Sequence, residues 1–204
     1  MALADNLIEE GWLKTPRIIE AFKRIKRIDF LPENMKNLAE LNEALPIGYG
    51  QTISQPLVVA FMIEQLEPKE GDKILDIGSG SGWTAALLAE IVGERGKVIA
   101  IDIVPELVEF GKKNIEKYNF IEKGIVECIC ADGSKGYQKG TPYDKILVSA
   151  TAREIASAWQ EQLKVGGRIV VPIDSSVWLY IKKDQKHFEE KEYPGFIFVP
   201  LITK

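Results

Sequence analysis

The chain of 204 residues is 46% hydrophobic and 27% charged, enough apolar material for one domain with a substantial core. Its formal net charge of -4 argues against a general nucleic-acid binder. No run of about eighteen apolar residues and no charged-then-apolar leader is present, so neither a membrane span nor a signal peptide is expected, and the sequence reads as cytoplasmic.

In chain order, Ala2 to Trp12 and Pro16 to Ile25 show helical apolar spacing, with Thr15 as N-cap and Pro16 at the first helical position. The basic residues Lys23, Arg24, Lys26 and Arg27 interleave with apolar ones and read as a solvated helix face. Pro32 ends regular structure, and residues 45–56 follow as an irregular segment with two glycines, two prolines, two hydroxyl residues and two glutamines. That segment runs into an apolar helix, Leu57 to Leu66, with Ser54 or Gln55 near its start and Pro56 inside it. A loop so rich in hydrogen-bonding groups either roofs a site or only caps the sheet.

Ile74 to Ile77 read as a buried strand and Thr84 to Val92 as a helix, with Gly78, Gly80 and Gly82 in the turn between them. Such a turn presents unpaired amide N–H groups at a helix start, and its missing side chains let a ligand come close, which points to a nucleotide-type site. A dinucleotide fold wants its third glycine where this chain has Trp83. Alternating glycines after a strand-terminal acid, here Asp76, resemble motif I of the S-adenosylmethionine-dependent methyltransferases. Their cofactor carries an ammonium and a sulfonium, and an acid beside the turn suits a cation.

A second strand, Lys97 to Asp102, ends in an acid some twenty residues past the glycines, where doubly wound folds place a carboxylate for ribose hydroxyls. Asp102 could also cap a helix starting near Pro105. A third strand, Ile125 to Cys130, leads into Ala131-Asp132-Gly133, where Asp132 is either a partner for an adenine amino group, as in methyltransferases, or a turn former. Cys128 and Cys130 share one strand face and read as reduced thiols, since no set of further ligands suggests a metal. His187, the only histidine, falls in the polar stretch Lys182 to Glu192 and reads as a solvated turn residue.

Lys145 to Ser149 is a fourth strand, and Ile155 to Leu163 a helix stopped by Val165-Gly166-Gly167 before the strand Arg168 to Val171. Val177 to Ile181 and Phe196 to Leu201 are expected to form an antiparallel hairpin at the sheet edge. The alternation of strands and helices predicts an α/β fold with a doubly wound, mostly parallel sheet.

Residues 45–62, with the loop Gln51-Thr52-Ile53-Ser54-Gln55-Pro56, resemble the signature of the protein-L-isoaspartate O-methyltransferase family. DFLPE from Asp29, LDIGSGSGWTAALLA from Leu75, DIVPELVE from Asp102, ADG from Ala131, PYDKILVSATA from Pro142, LKVGGRIVVP from Leu163 and FVPL from Phe198 follow in family order. The resemblance implies a Rossmann-like class I fold of seven strands with a helical cap and substrate loop over residues 1–56 and a cofactor-binding core over 57–204. It implies methylation of the α-carboxylate of L-isoaspartyl residues in damaged proteins and peptides, with S-adenosylmethionine as cofactor, no metal and a monomeric enzyme. Cofactor contacts are expected from Asp76, Gly78, Ser79, Gly80, Gly82, Asp102, Ile103, Asp132 and Gly133. Substrate contacts are expected from Thr52, Ile53, Ser54 and Gln55, with Ser54 as the active-site residue.

Chemistry supports that assignment. A carboxylate is already ionised and nucleophilic at neutral pH, so alignment with the sulfonium methyl matters more than acid–base catalysis. Ser54 then holds the acceptor rather than forming a covalent intermediate, because no base stands in the sequence to activate it. The chain departs from the family pattern at Ser176, where a glutamine is usual, and at Glu40 and Asn42, where an aromatic residue and an acid are common. The glycine motif alone would also suit a methyltransferase of a metabolite or RNA, and the fold alone a cofactor-binding protein without activity.

Overall fold

A computed structural model describes residues 3–204; Ala2, the expected start of the first helix, lies outside the described residues. That helix, α1, runs Leu3–Glu9, and α2 runs Pro16–Arg24 behind Thr15 as N-cap and Pro16 at its first position. The Thr15 hydroxyl does not close the helix but donates to Glu64 Oε2 at 2.7 Å. Lys23, Arg24 and Lys26 are exposed as expected, whereas Arg27 is buried.

Two short 3-10 turns, Arg27–Phe30 and Glu33–Leu38, lead to a segment more regular than its composition suggested. β1 (Leu45–Gly48) and β2 (Gln51–Ile53) form an antiparallel hairpin, turning through Tyr49 and Gly50, both at positive φ. Helix α3 (Pro56–Leu66) follows at once.

The main sheet takes β3 (Lys73–Ile77), β4 (Lys97–Asp102), β5 (Val126–Cys130), β6 (Tyr143–Val148), β7 (Leu163–Ile173), β8 (Ser176–Lys182) and β9 (Phe188–Pro194). Its order is β5-β4-β3-β6-β7-β8-β9, with the first five strands parallel and the last two a meander. The crossovers include α4 (Trp83–Val92), α5 (Pro105–Glu116) and α6 (Ser157–Gln162). Strand order reverses at β3, so the crevice beyond its carboxyl end is where such a fold binds ligands.

Burial is continuous along β3 from Ile74 to Ile77, as a sheet covered on both faces requires, while successive side chains face opposite sides. Ile74 belongs to the same buried cluster as Leu87, Ile63 and the cap residues Leu7, Ile18 and Phe30, whereas Leu75 and Ile77 belong to a second one with Trp159, Ile146 and Val171. The amino-terminal elements therefore have no core of their own; they complete one side of the sheet.

Two details depart from the pattern read in sequence. Residues 165–167 do not stop a helix but lie inside β7, where a bulge takes up the register between the Tyr143–Leu163 and Lys145–Arg168 pairs. The last hairpin pairs β8 with Phe188–Pro194 rather than with Phe196–Leu201. β9 is an exposed edge strand whose glutamates and lysine disguise it as a loop, a composition that discourages edge-to-edge association. The apolar stretch after it instead turns back beside Thr151, with Thr151 N–H donating to Val199 O and Leu201 N–H to Thr151 O. His187 sits in the β8–β9 turn with 77% of its side chain exposed. Cys128 is half-buried and Cys130 exposed, both free. No helix of the described residues is long and apolar enough to cross a membrane.

Candidate functional site

The site grows from the turn after β3. Gly78 and Ser79 donate their amides to Ile101 O at 2.8 and 3.0 Å, and Gly80 N–H donates to Asp102 Oδ2 at 2.9 Å. These bonds tie the turn to the end of β4, and positive φ at Gly78, Gly80 and Gly82 gives it a path that side-chain-bearing residues rarely follow. Asp102 Oδ1 also accepts from Val104 N–H at 3.0 Å, while Val104 itself is the N-cap of α5. Asp102 thus braces the turn and lines the crevice, and it is not the helix cap.

Three clefts adjoin around this turn. The first is lined by Asp102, Ile103, Gly78, Gly133, Gln51 and the returning stretch Pro200–Ile202. The second is lined by Gly78, Ser79, Gly80, Trp83, Thr84 and the loop residues Thr52, Ile53 and Ser54. The third lies between Thr52, Ser54, Gln55 and Ile197–Val199. Gly78 is common to the first two, and Thr52, Ser54 and Ser149 are common to the second and third.

Local bonding leaves Ser54 available to a ligand. The N-cap of α3 is Gln55, without a side-chain cap bond, and the orphan Leu57 N–H at the helix start is satisfied by Asn42 Oδ1 at 2.9 Å. Gln55 Nε2 donates to the Asn42 carbonyl at 2.9 Å. Asn42, a departure from the family pattern, therefore clamps the loop to the helix. The other departures are also structural: Glu40 Oε2 accepts from Leu3 N–H at 2.9 Å, and Ser176 Oγ donates to Glu192 Oε1 at 2.7 Å, outside the three clefts.

Three residues expected at the cofactor stand back from the clefts. Asp76 is fully buried; its Oδ2 accepts from Thr84 Oγ1 at 2.8 Å, so Thr84 is the member of the pair that lines the second cleft. Its other oxygen has no partner, and burial pushes the carboxyl up to about 7, the Thr84 hydrogen bond opposing and nearby Asp102 adding. Gly82 is demanded by packing, since a Cβ there would meet Gly111 O and Ile115 Cδ1 at 2.9 Å. Asp132 is engaged by its own turn, accepting from Ser134 N–H at 3.0 Å and Ser134 Oγ at 2.7 Å, and by Lys204 N–H at 3.0 Å. These bonds give Asp132 a turn-forming role, which a carboxylate with about four acceptor sites can combine with a ligand contact, and its neighbour Gly133 lines the first cleft.

Thr84, Ser149 and residues 197–202 are not among the site residues expected from sequence. Ser149 follows a central parallel strand at the carboxyl edge of the sheet, a position at which ligand contact is the rule, and that signal could have found it. FVPL from Phe198 belongs to the family resemblance, but nothing in its composition marks a cleft lining.

The arrangement fits a ligand with hydroxyls at one end and a cation at the other. Asp102 lines the first cleft with lone pairs to spare, and Thr84, which lines the second, is bonded to the buried Asp76, whose other oxygen has no partner. The model of the protein-L-isoaspartate(D-aspartate) O-methyltransferase family matches residues 1–204. A protein-L-isoaspartate O-methyltransferase 2 of Archaeoglobus fulgidus is 46% identical over 202 residues, covering 98% of this chain and 90% of its own. A protein-L-isoaspartate O-methyltransferase of Methanopyrus kandleri is 39% identical over 204 residues, covering 98% and 89%. A solved protein-L-isoaspartate O-methyltransferase superposes with a TM-score of 0.88 at 29% identity, covering 97% of this chain and 64% of that one. A Plasmodium falciparum chain assigned to the same enzyme, crystallised with S-adenosyl-L-homocysteine, shares the fold with a TM-score of 0.89 at 22% identity, covering 99% and 97%.

Proposed function

The chain belongs to the protein-L-isoaspartate(D-aspartate) O-methyltransferase family, and on that footing we propose how its three clefts divide the work. The enzyme moves a methyl group from S-adenosylmethionine to the α-carboxylate of L-isoaspartyl residues in damaged proteins and peptides. The resulting ester closes to a succinimide, which hydrolyses in part to aspartyl. The first cleft takes the adenosine half of the cofactor, the second its amino-acid half, and the third the isoaspartyl peptide. The observation that carries this reading is the sharing of Thr52, Ser54 and Ser149 between the second and third clefts, which puts three hydroxyls at the junction where donor and acceptor must meet.

In the first cleft Asp102 accepts from ribose hydroxyls while Gly80 and Val104 hold it in place. In the second, the unpaired oxygen of Asp76 and its partner Thr84 offer negative charge to an ammonium, and the glycine turn admits the chain of the ligand closely. Bound there, S-adenosylmethionine supplies a sulfonium methyl open to in-line displacement. Ser54 and Thr52 donate hydroxyl hydrogen bonds to the acceptor carboxylate, fixing its direction without a contacting cation that would blunt it. Proximity and alignment of this kind can supply about 7–11 kcal/mol of a barrier. No proton needs to leave the acceptor, so the reaction needs no histidine base, and the exposed His187 lines none of the three clefts.

We also propose that residues up to 56 and the remainder act as one unit, because Phe30, Leu45 and Ile53 share a core with Val59 and Trp83. A net charge of -4 supports a polypeptide acceptor over a nucleic acid. The decisive experiment supplies methyl-labelled cofactor with two peptides that differ only in isoaspartyl or aspartyl linkage. Alkali-labile label in the first alone is expected; equal labelling of both, or of neither, would refute the assignment.

A further inference from the structure

Arg27 is a buried cation with an unusual set of partners. It is 4% exposed and opens the 3-10 turn after α2. Its Nη1 donates to the carbonyl oxygens of Ala39 and Leu41 at 3.2 and 3.0 Å, and its Nη2 to those of Glu43 and Ser54 at 2.7 and 3.3 Å. The guanidinium lies 5.5 Å from the centroid of the Trp83 ring, and Trp83 and Ser54 line the same cleft. Burial pulls its pKa down to about 10, with the charge of Glu40 opposing, so the group stays cationic at neutral pH. Among the described residues no carboxylate bonds to it; backbone carbonyls alone satisfy its two terminal nitrogens.

A buried charge of this kind adds little to stability compared with apolar packing of the same volume, because desolvation offsets most of the gain. What the fork does provide is geometry. The four carbonyls belong to residues spread over positions 39–54, so one rigid group gathers both ends of the β1–β2 hairpin and holds the second end at Ser54. A lysine could not, having a single head that cannot bridge four acceptors in a plane.

We propose that Arg27 is a positioning residue for methyl transfer: by clamping the Ser54 carbonyl from inside the protein it fixes the Ser54 hydroxyl at the junction of the second and third clefts. This rests on the reading of Ser54 as the residue that holds the acceptor. It makes no contact with the acceptor itself; its effect passes through one backbone position.

The test is a double-mutant cycle with Arg27→Lys, Ser54→Ala and the double variant, assayed on isoaspartyl peptide at saturating S-adenosylmethionine, with calorimetric binding of S-adenosylhomocysteine and thermal melting alongside. Arg27→Lys should lower kcat/KM for the peptide roughly 10- to 100-fold, leave the binding of S-adenosylhomocysteine within about threefold, and add no more than about twofold to the loss in Ser54→Ala. A double-variant loss equal to the product of the two single losses overturns the inference while leaving the Ser54 reading intact. So does an Arg27→Lys protein that melts lower but turns over peptide normally per folded molecule. Full turnover by Ser54→Ala refutes the Ser54 reading and this inference with it. Should Arg27→Lys fail to fold, Arg27→Gln, which keeps amide donors without the charge, goes through the same cycle with the same criteria.

Discussion

Asp76 makes the sharpest prediction because its strain in the cofactor-free protein and its use in binding pull in opposite directions. The carboxyl is fully buried, with one oxygen on Thr84 Oγ1 and the other unpartnered, and its pKa rises from 3.8 to about 7. The folded chain therefore keeps a proton that the unfolded chain releases above about pH 4, so folding stability falls as pH rises from about 4 to about 7 and is flat beyond. Each tenfold change in an ionisation constant is worth about 1.4 kcal/mol, which makes the loss on the order of 4 kcal/mol. Asp76→Asn keeps the shape and an acceptor for Thr84 but cannot ionise. Melted without cofactor across pH 4–8, the variant should match the parent near pH 4 and exceed it by about 8–16 °C near pH 8, at roughly 2–4 °C per kcal/mol for a domain of this size. The same variant should bind S-adenosylhomocysteine more weakly in calorimetry, having lost the negative charge opposite the ammonium. A difference in melting temperature that does not change with pH would refute this account of Asp76.

Asp102→Ala should weaken S-adenosylhomocysteine binding by roughly 10- to 100-fold, since a charged acceptor for hydroxyls and the brace on Gly80 N–H are both lost, while the peptide KM at saturating cofactor changes little. Calorimetry and steady-state kinetics check the two halves. Gly82→Ala places a methyl 2.9 Å from Gly111 O and from Ile115 Cδ1 at a position with φ of +84, and should cost about 2–4 kcal/mol in chemical denaturation. Asn42→Ala leaves Leu57 N–H without its acceptor and should cost about 1 kcal/mol by the same measurement, with a larger fractional effect on peptide turnover than on cofactor binding.

The sequence by itself determined the strand, glycine turn and helix from Lys73 to Val92 and the acid at the end of β4, because each is a local pattern whose chemistry and conformation are set by neighbours in the chain. It also determined the doubly wound order of events, since periods of two and of about 3.6 alternate along the chain. The tertiary structure decided which groups face the clefts. Asp76 and Asp132 look alike from sequence, each an acid at or after a strand end, yet one is buried with an unpaired oxygen and the other accepts from Ser134 and Lys204. Arg27 looks like its exposed basic neighbours, but the carbonyls that bury it lie 12 to 27 residues away. Phe196 to Leu201 has the composition of a strand, and only the path of β9 sends it back over the site. Periodicity reports how a segment meets its own neighbours and one averaged environment; which distant backbone closes over it depends on chain paths that no single segment encodes.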